Sequence, residues 1–251
     1  MQHLYILTGA SRGMGLAMAQ QLLSPAHRLL CVSRSVNEAL SARAKQAGGV
    51  CEQWAQDLAD APACAARLRE WLGTLDPSTF AGATLINNAG VISRIGALED
   101  SEDPDLSNAL RVGLEAPMLL TSAFLDATRQ WASPRKVLNI SSGLGRRAMA
   151  GSAAYCAAKA GMDHFTRCVA LEQAALPQGA RIVSLAPGVI DTDMQVQLRG
   201  GDPAGFPDRD RFVQLHTQGQ LSPPDEAARR VLTYLARPDF GETPVADVRD
   251  A

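Results

Sequence analysis

The sequence predicts an α/β fold: a doubly wound parallel sheet covered by helices on both faces, three layers in a single domain. Three observations predict it. Short apolar runs alternate with stretches of helical spacing from the first residues onward, the pattern of strands linked by crossover helices. Most of these runs are apolar throughout, as expected of strands buried on both faces. The chain has 251 residues, 46% of them hydrophobic, enough for one substantial core.

Leu4-Tyr5-Ile6-Leu7 reads as the first strand, and Leu16, Ala19 and Leu23 follow with helical spacing. Leu29-Leu30-Cys31-Val32 makes a second strand, and the stretch around Val50 a weak third. Thr84-Leu85-Ile86, Val137-Leu138-Asn139-Ile140 and Ile182-Val183-Ser184-Leu185 are the fourth to sixth, with a weak last strand from Val245 to Val248. Helical stretches fall near 61–72, 105–132 and 155–176. No repeat or flexible linker divides the chain. One segment, about 195–224, mixes Gly200, Gly201, Pro203, Gly205 and Pro207 with charges and ends in Pro223-Pro224. It shows little pattern of either kind, which predicts a flap over a ligand at the carboxyl edge of the sheet.

Composition removes several function classes. Lys+Arg 24 against Asp+Glu 26 leaves a net charge of −2, no electrostatic footprint for nucleic acid or an anionic membrane. No apolar run approaches the roughly 20 residues of a membrane span. The opening run ends at Thr8-Gly9 and is too short for a signal peptide. Five cysteines without a C-x-x-C pair predict a reduced, cytoplasmic protein. His3, His27, His164 and His216 share no ligand spacing, so no metal site is expected.

Thr8-Gly9-Ala10-Ser11-Arg12-Gly13-Met14-Gly15 sits where the first strand meets the first helix. Glycines there allow a tight turn, and the helix N-terminus offers unpaired N–H groups to a pyrophosphate. The same residues match G-x-S-x-G, the nucleophile elbow of hydrolases, with Ser11 as nucleophile. Against that reading, no earlier loop can supply an oxyanion hole, and the only late histidine is His216, inside the flap. The second strand ends in Ser33-Arg34, with no carboxylate until Glu38. A ribose 2′-hydroxyl calls for a carboxylate there, whereas Arg34, helped by Arg12, suits a 2′-phosphate; NADP(H) is therefore the expected cofactor. Asp57, beside Leu58, could accept from the adenine amino group or serve only its own loop.

Tyr155 and Lys159 stand four residues apart, on one face of a helix. A phenol titrates near 10, and a neighbouring ammonium is expected to lower that value by stabilising the phenolate. Ser142, after the fifth strand, can offer a hydroxyl to a substrate oxygen beside the phenol.

The ordered set of the glycine turn, Asn87-Asn88-Ala89-Gly90, Ser142, Tyr155-x-x-x-Lys159 and Pro187-Gly188 resembles the short-chain dehydrogenase/reductase family along essentially the whole chain. The stretch Pro187 to Gln195, Ala116 to Thr121 and the ending Val245-Ala246-Asp247-Val248 resemble its sepiapterin reductase and bacterial benzil reductase branch. The resemblance implies a Rossmann-type fold and an NADPH-dependent reduction of a small carbonyl compound, a ketone, diketone or pterin side chain. It implies Tyr155 as general acid, Lys159 on the nicotinamide ribose and Ser142 on the carbonyl oxygen. Asn88, Ala89 and Gly90 would pack along the cofactor, as would Pro187, Gly188 and Val189. Thr192 would reach the carboxamide or diphosphate. Asp247 matches the aspartate that anchors the amino-pterin in sepiapterin reductases, or is a plain strand-end carboxylate. A homodimer through the two long helices is implied as well.

One position departs from the family pattern. Relatives read Asn-Leu-x-Ala-Pro where this chain has Gly113-Leu114-Glu115-Ala116-Pro117, which puts the proton relay through that asparagine in question and leaves open a cofactor-binding regulator without turnover. Asn108, five residues earlier, falls about 140° away around an ideal helix. Met149, Met194, Phe206 and Phe212 are expected either to wall an apolar substrate or to pack ordinarily. Arg146-Arg147 would meet an anionic substrate or solvent.

Overall fold

All seven apolar runs pair, each parallel to its neighbours, in the computed structural model, which describes residues 1–250. The strands are β1 (Gln2–Thr8), β2 (His27–Ser33), β3 (Val50–Ala55), β4 (Phe80–Asn87), β5 (Arg135–Ile140), β6 (Arg181–Ala186) and β7 (Val245–Asp247), in the order β3-β2-β1-β4-β5-β6-β7. The winding reverses between β1 and β4, and the crevice at the carboxyl ends of those strands is where such sheets hold ligands.

The helices are α1 (Gly13–Leu22), α2 (Glu38–Gln46), α3 (Ala61–Gly73), α4 (Asp103–Leu110), α5 (Ala116–Ala127), α6 (Ala153–Ala174), α7 (Asp193–Arg199), α8 (Arg209–Thr217) and α9 (Pro224–Ala236). Alternation along the strands divides the apolar residues between two faces. Leu4 and Ile6 of β1 join a core with Leu68 of α3, Phe124 of α5 and Val169 of α6. Leu7 joins the other, with Met18 of α1 and Val231 of α9. The result is the three-layer sandwich the sequence predicts.

Four differences from the sequence reading have physical causes. Helix α9, absent from the helical stretches read in the sequence, begins at Pro224; proline at the first helical position lacks only a hydrogen that would be unpaired anyway. Helix α2 carries just two buried residues, Leu40 and Ala44, and depends on Asn37, whose side chain accepts from the Leu40 N–H. The stretch 105–132 is not one helix: a π-helical turn over Arg111–Glu115 separates α4 from α5. The 195–224 segment is likewise not irregular. It holds most of α7 and all of α8, and its end is joined to the loop after β6 through Ser222, whose N–H donates to Val189 O at 2.9 Å. No helix is long and apolar enough to cross a membrane among the described residues.

Candidate active site

A cavity of about 1040 Å³ opens at the carboxyl ends of the strands. Its wall includes Gly9, Ser11, Arg12, Gly13, Met14 and Gly15, the ends of β2 and β4, Ser142, Tyr155, Lys159 and the Pro187 to Leu198 stretch. The glycine turn is closely packed. Gly9 has φ +70°, and a Cβ there would lie 2.9 Å from the Ala89 Cα. A Cβ on Gly15 would fall 2.0 Å from the Gly9 carbonyl oxygen. Asn88 holds this turn from β4: its amide donates to Thr8 O at 3.0 Å and to Gly9 O at 3.3 Å. The Asn88 and Ala89 N–H groups both donate to Thr8 Oγ1 at 3.0 Å. Only glycine leaves room for backbone this close beside the N-terminus of α1, and that space suits a pyrophosphate.

The predicted nucleotide residues meet in the same wall: Ser33, Arg34, Asp57, Leu58, Asn88, Ala89, Gly90, Pro187, Gly188, Val189 and Thr192. Ser33 is 9% exposed and its hydroxyl lacks a partner, as does that of Ser141. The unpaired Ser33 hydroxyl, next to the exposed Arg34 on the cavity wall, fits a phosphorylated ribose. Arg12 is engaged elsewhere, in an exposed 2.8 Å ion pair with Asp193 at the start of α7. Asp57 turns one oxygen onto its own loop, accepting from the Ala59 N–H at 2.9 Å.

Tyr155 lies in the first turn of α6 and Lys159 one turn later, 8% and 4% exposed. Lys159 Nζ donates to Ile140 O at 2.7 Å and lies 5.7 Å from the Tyr155 ring centre. The expected lowering of the phenol is overturned. Burial pushes Tyr155 up to about 12, against a smaller opposite effect of the Ser142 hydroxyl. Burial likewise pulls Lys159 down to about 8, while the Asp163 carboxylate acts to raise it. Burial disfavours the charged form of each group.

Several supporting residues escape a reading of the sequence. Asp163, a turn beyond Lys159, is buried and accepts from Ser184 Oγ at 2.6 Å and Arg146 Nε at 3.1 Å. Arg146 also donates to Ala246 O at 2.9 Å. It thus ties the loop after Ser142 to α6 and β7, whereas Arg147 lines the cavity. Beneath the site, the Asn87 amide donates to Asn139 Oδ1 at 2.8 Å, and the Asn139 amide to Thr166 Oγ1 at 2.9 Å. The available signal was a polar residue inside an apolar strand, as at Asn139 and Ser184.

Asn108 lines the cavity with Val112, so it and position 113 face different surroundings, as the helical count predicts. Gly113 is buried against α6 instead, where a Cβ would come within 3.0 Å of the Ala158 Cβ. The apolar wall is corrected too. Met194 and Phe212 line the cavity, but Met149 and Phe206 pack behind it in a cluster with Leu198 and Phe212. The Phe206 and Phe212 rings stack 5.7 Å apart in that cluster. Asp247 lines the cavity, yet its carboxylate is gripped by Arg249 through contacts of 2.8 and 2.6 Å. Arg249 holds that carboxyl below the usual range. No group of His, Cys, Asp and Glu could hold a metal among the described residues.

Residues 3–202 match the family model described as short chain dehydrogenase. The chain is 35% identical to the benzil reductase ((S)-benzoin forming) of Bacillus cereus, covering 94% of each protein. It is 32% identical to the sepiapterin reductase of Meriones unguiculatus, covering 94% of this chain and 92% of that one. A metagenomic short-chain oxidoreductase solved in complex with NADP superposes with a TM-score of 0.72 at 27% identity, over 98% of this chain and 94% of that one. With the glycine turn, the serine, the phenol and the lysine gathered around one cavity, the chain belongs to the short-chain dehydrogenase/reductase family of oxidoreductases.

Proposed function

We propose that this protein is an NADPH-dependent carbonyl reductase whose substrates are apolar vicinal diketones of the benzil type. The observation that carries the reading is the buried Tyr155 phenol, with Ser142 and Lys159, in the same cavity as a glycine-built nucleotide cradle. When bound, the nicotinamide supplies a hydride at one face of the carbonyl carbon. Tyr155 then gives its proton to the carbonyl oxygen, and Ser142 holds that oxygen by a hydrogen bond that strengthens as charge develops. Lys159 supplies the positive charge that stabilises the phenolate left behind, and with Asn88, Ala89 and Gly90 it lines the nucleotide end. Thr192, at the N-terminus of α7, faces the same wall.

Two features favour a diketone over a pterin. Met194 and Phe212 give the substrate end an apolar lining, backed by Met149, Leu198 and Phe206. Asp247, the carboxylate that would take an amino-pterin, is occupied by Arg249. A cytoplasmic homodimer belongs to the same reading, supported by the exposed Leu110 at the end of α4, Met118 on α5 and Leu171 on α6 and by five free cysteines.

The test is NADPH oxidation followed over a panel of diketones and pterins. Turnover highest with benzil is expected; cofactor binding with no oxidation above background would make the protein a regulator instead. Arg34→Asp is expected to move the preference toward NADH by about tenfold or more, since a charge-assisted phosphate contact is worth about 1.5–3 kcal/mol. Unchanged selectivity would remove Arg34 from the 2′-phosphate site.

A further inference from the structure

Gln195 sits in the first turn of α7, on the face that also buries Leu198. The residue is 7% exposed and lines the cavity, yet its amide oxygen has no hydrogen-bond partner. Its backbone is satisfied independently, the N–H donating to Thr192 O at 2.9 Å. Burying an amide group unpaired is unfavourable, so its place on a cavity wall asks for a ligand group to complete it.

The surroundings say which end of the cavity this is. Leu198, one turn from Gln195, packs with Phe212 and Met149, and Leu144, Cys156 and Met194 pack against the same cluster. Leu144 is two residues from Ser142, and Cys156 adjoins Tyr155. The unpaired amide therefore belongs to the apolar end beside the reacting carbonyl and not to the glycine cradle. A carboxamide carries two donors and an acceptor, and rotation of its last torsion presents either. Such a group in an apolar wall can recognise one oxygen next to the reacting carbonyl.

Resting on the carbonyl-reductase reading, we propose that Gln195 determines specificity: its amide holds the second oxygen of an α-oxygenated ketone while Ser142 and Tyr155 engage the first. For a diketone the amide N–H donates to the second carbonyl. For a hydroxyketone the amide oxygen accepts from the hydroxyl. A ketone without that neighbouring oxygen leaves the amide unpaired and is disfavoured.

Gln195→Met, close in shape and without the polar end, tests this against two substrates. Benzil has the second oxygen and deoxybenzoin lacks it, so the ratio of their kcat/KM values cancels their intrinsic reactivities when variant and wild type are compared. The ratio is expected to fall about tenfold, the value of one neutral hydrogen bond, chiefly through a higher KM for benzil. NADPH affinity is expected to hold, and the thermal midpoint of the cofactor-free protein to hold or rise, because an unpaired polar group has been replaced by an apolar one. An unchanged ratio overturns the proposal. So does an equal loss on both ketones with weakened NADPH binding, which would give the amide to the nucleotide, or a lowered thermal midpoint with an unchanged ratio, which would give it to the fold. Wild-type protein that oxidises NADPH with neither ketone refutes the carbonyl-reductase reading itself, and this proposal with it.

Discussion

At the nucleotide end of the cavity the walls are largely backbone: the glycine turn, the ends of β2 and β4, and the Pro187-Gly188 turn. At the substrate end they are side chains of α7 and α8, backed by a small apolar cluster separate from the two cores that flank the sheet. The first end is fixed by sheet topology, because strand ends and a tight turn can meet in only one way. The second is set by which side chains happen to face inward from two short helices. Substitutions that break the first should abolish function broadly, and those at the second should redistribute activity among substrates.

The largest effect is expected from Gly15→Ala. The added Cβ would stand 2.0 Å from the Gly9 carbonyl oxygen and 2.5 Å from Asn88 Nδ2, within the hydrogen bonds that hold the turn. Displacing backbone of this kind costs about 1–3 kcal/mol, and NADPH affinity should fall by about tenfold or more for every ketone alike. Equilibrium binding followed by nicotinamide fluorescence checks it; an unaltered Kd would mean that the turn can open without loss to the nucleotide.

The same contrast explains how much the sequence disclosed. Strands β1, β2, β4, β5 and β6 were legible because each is a short, nearly continuous apolar run, and Tyr155, Lys159 and Ser142 because their types and spacing carry the chemistry. Helix α9 was missed, because Pro223-Pro224 reads only as the end of the Gly/Pro-rich segment, although proline suits the first turn of a helix. The break in the 105–132 stretch was not legible, because no single residue announces a π turn. Asp163, Arg146 and Ser184 meet across 17 to 38 positions of sequence, a distance that periodicity cannot bridge. Met149 showed the limit of composition, since an apolar residue near a site packs behind a wall as readily as it lines one.

A second test concerns the charge behind the phenol. Lys159 stands at about 8 with Asp163 acting to raise it. As pH climbs through that value the ammonium loses its proton, and the phenolate left after proton donation loses its counter-charge, so reduction is expected to decline on the alkaline side. Asp163→Asn keeps the shape and a partner for Ser184 while removing the carboxylate charge. Lys159 should then titrate lower, and the alkaline limb of kcat/KM should move toward acid. A limb that stays in place, whatever the loss of absolute rate, would show that Asp163 only braces the Ser142 loop through Arg146.

The smallest effect is expected at the far edge of the substrate end. Arg249 is 62% exposed in its pair with Asp247, whose own exposure is 9%. A pair so open on one side contributes up to about 1 kcal/mol, so Arg249→Ala should leave stability and benzil reduction close to wild type. It should also free the Asp247 carboxylate toward the cavity. Lower KM for an amino-pterin ketone, by about fivefold at most, is the expected gain, read against an unchanged KM for benzil. If the pterin value stays put while benzil's rises, Arg249 shapes the diketone pocket directly and Asp247 is a strand-end carboxylate with no share in recognition.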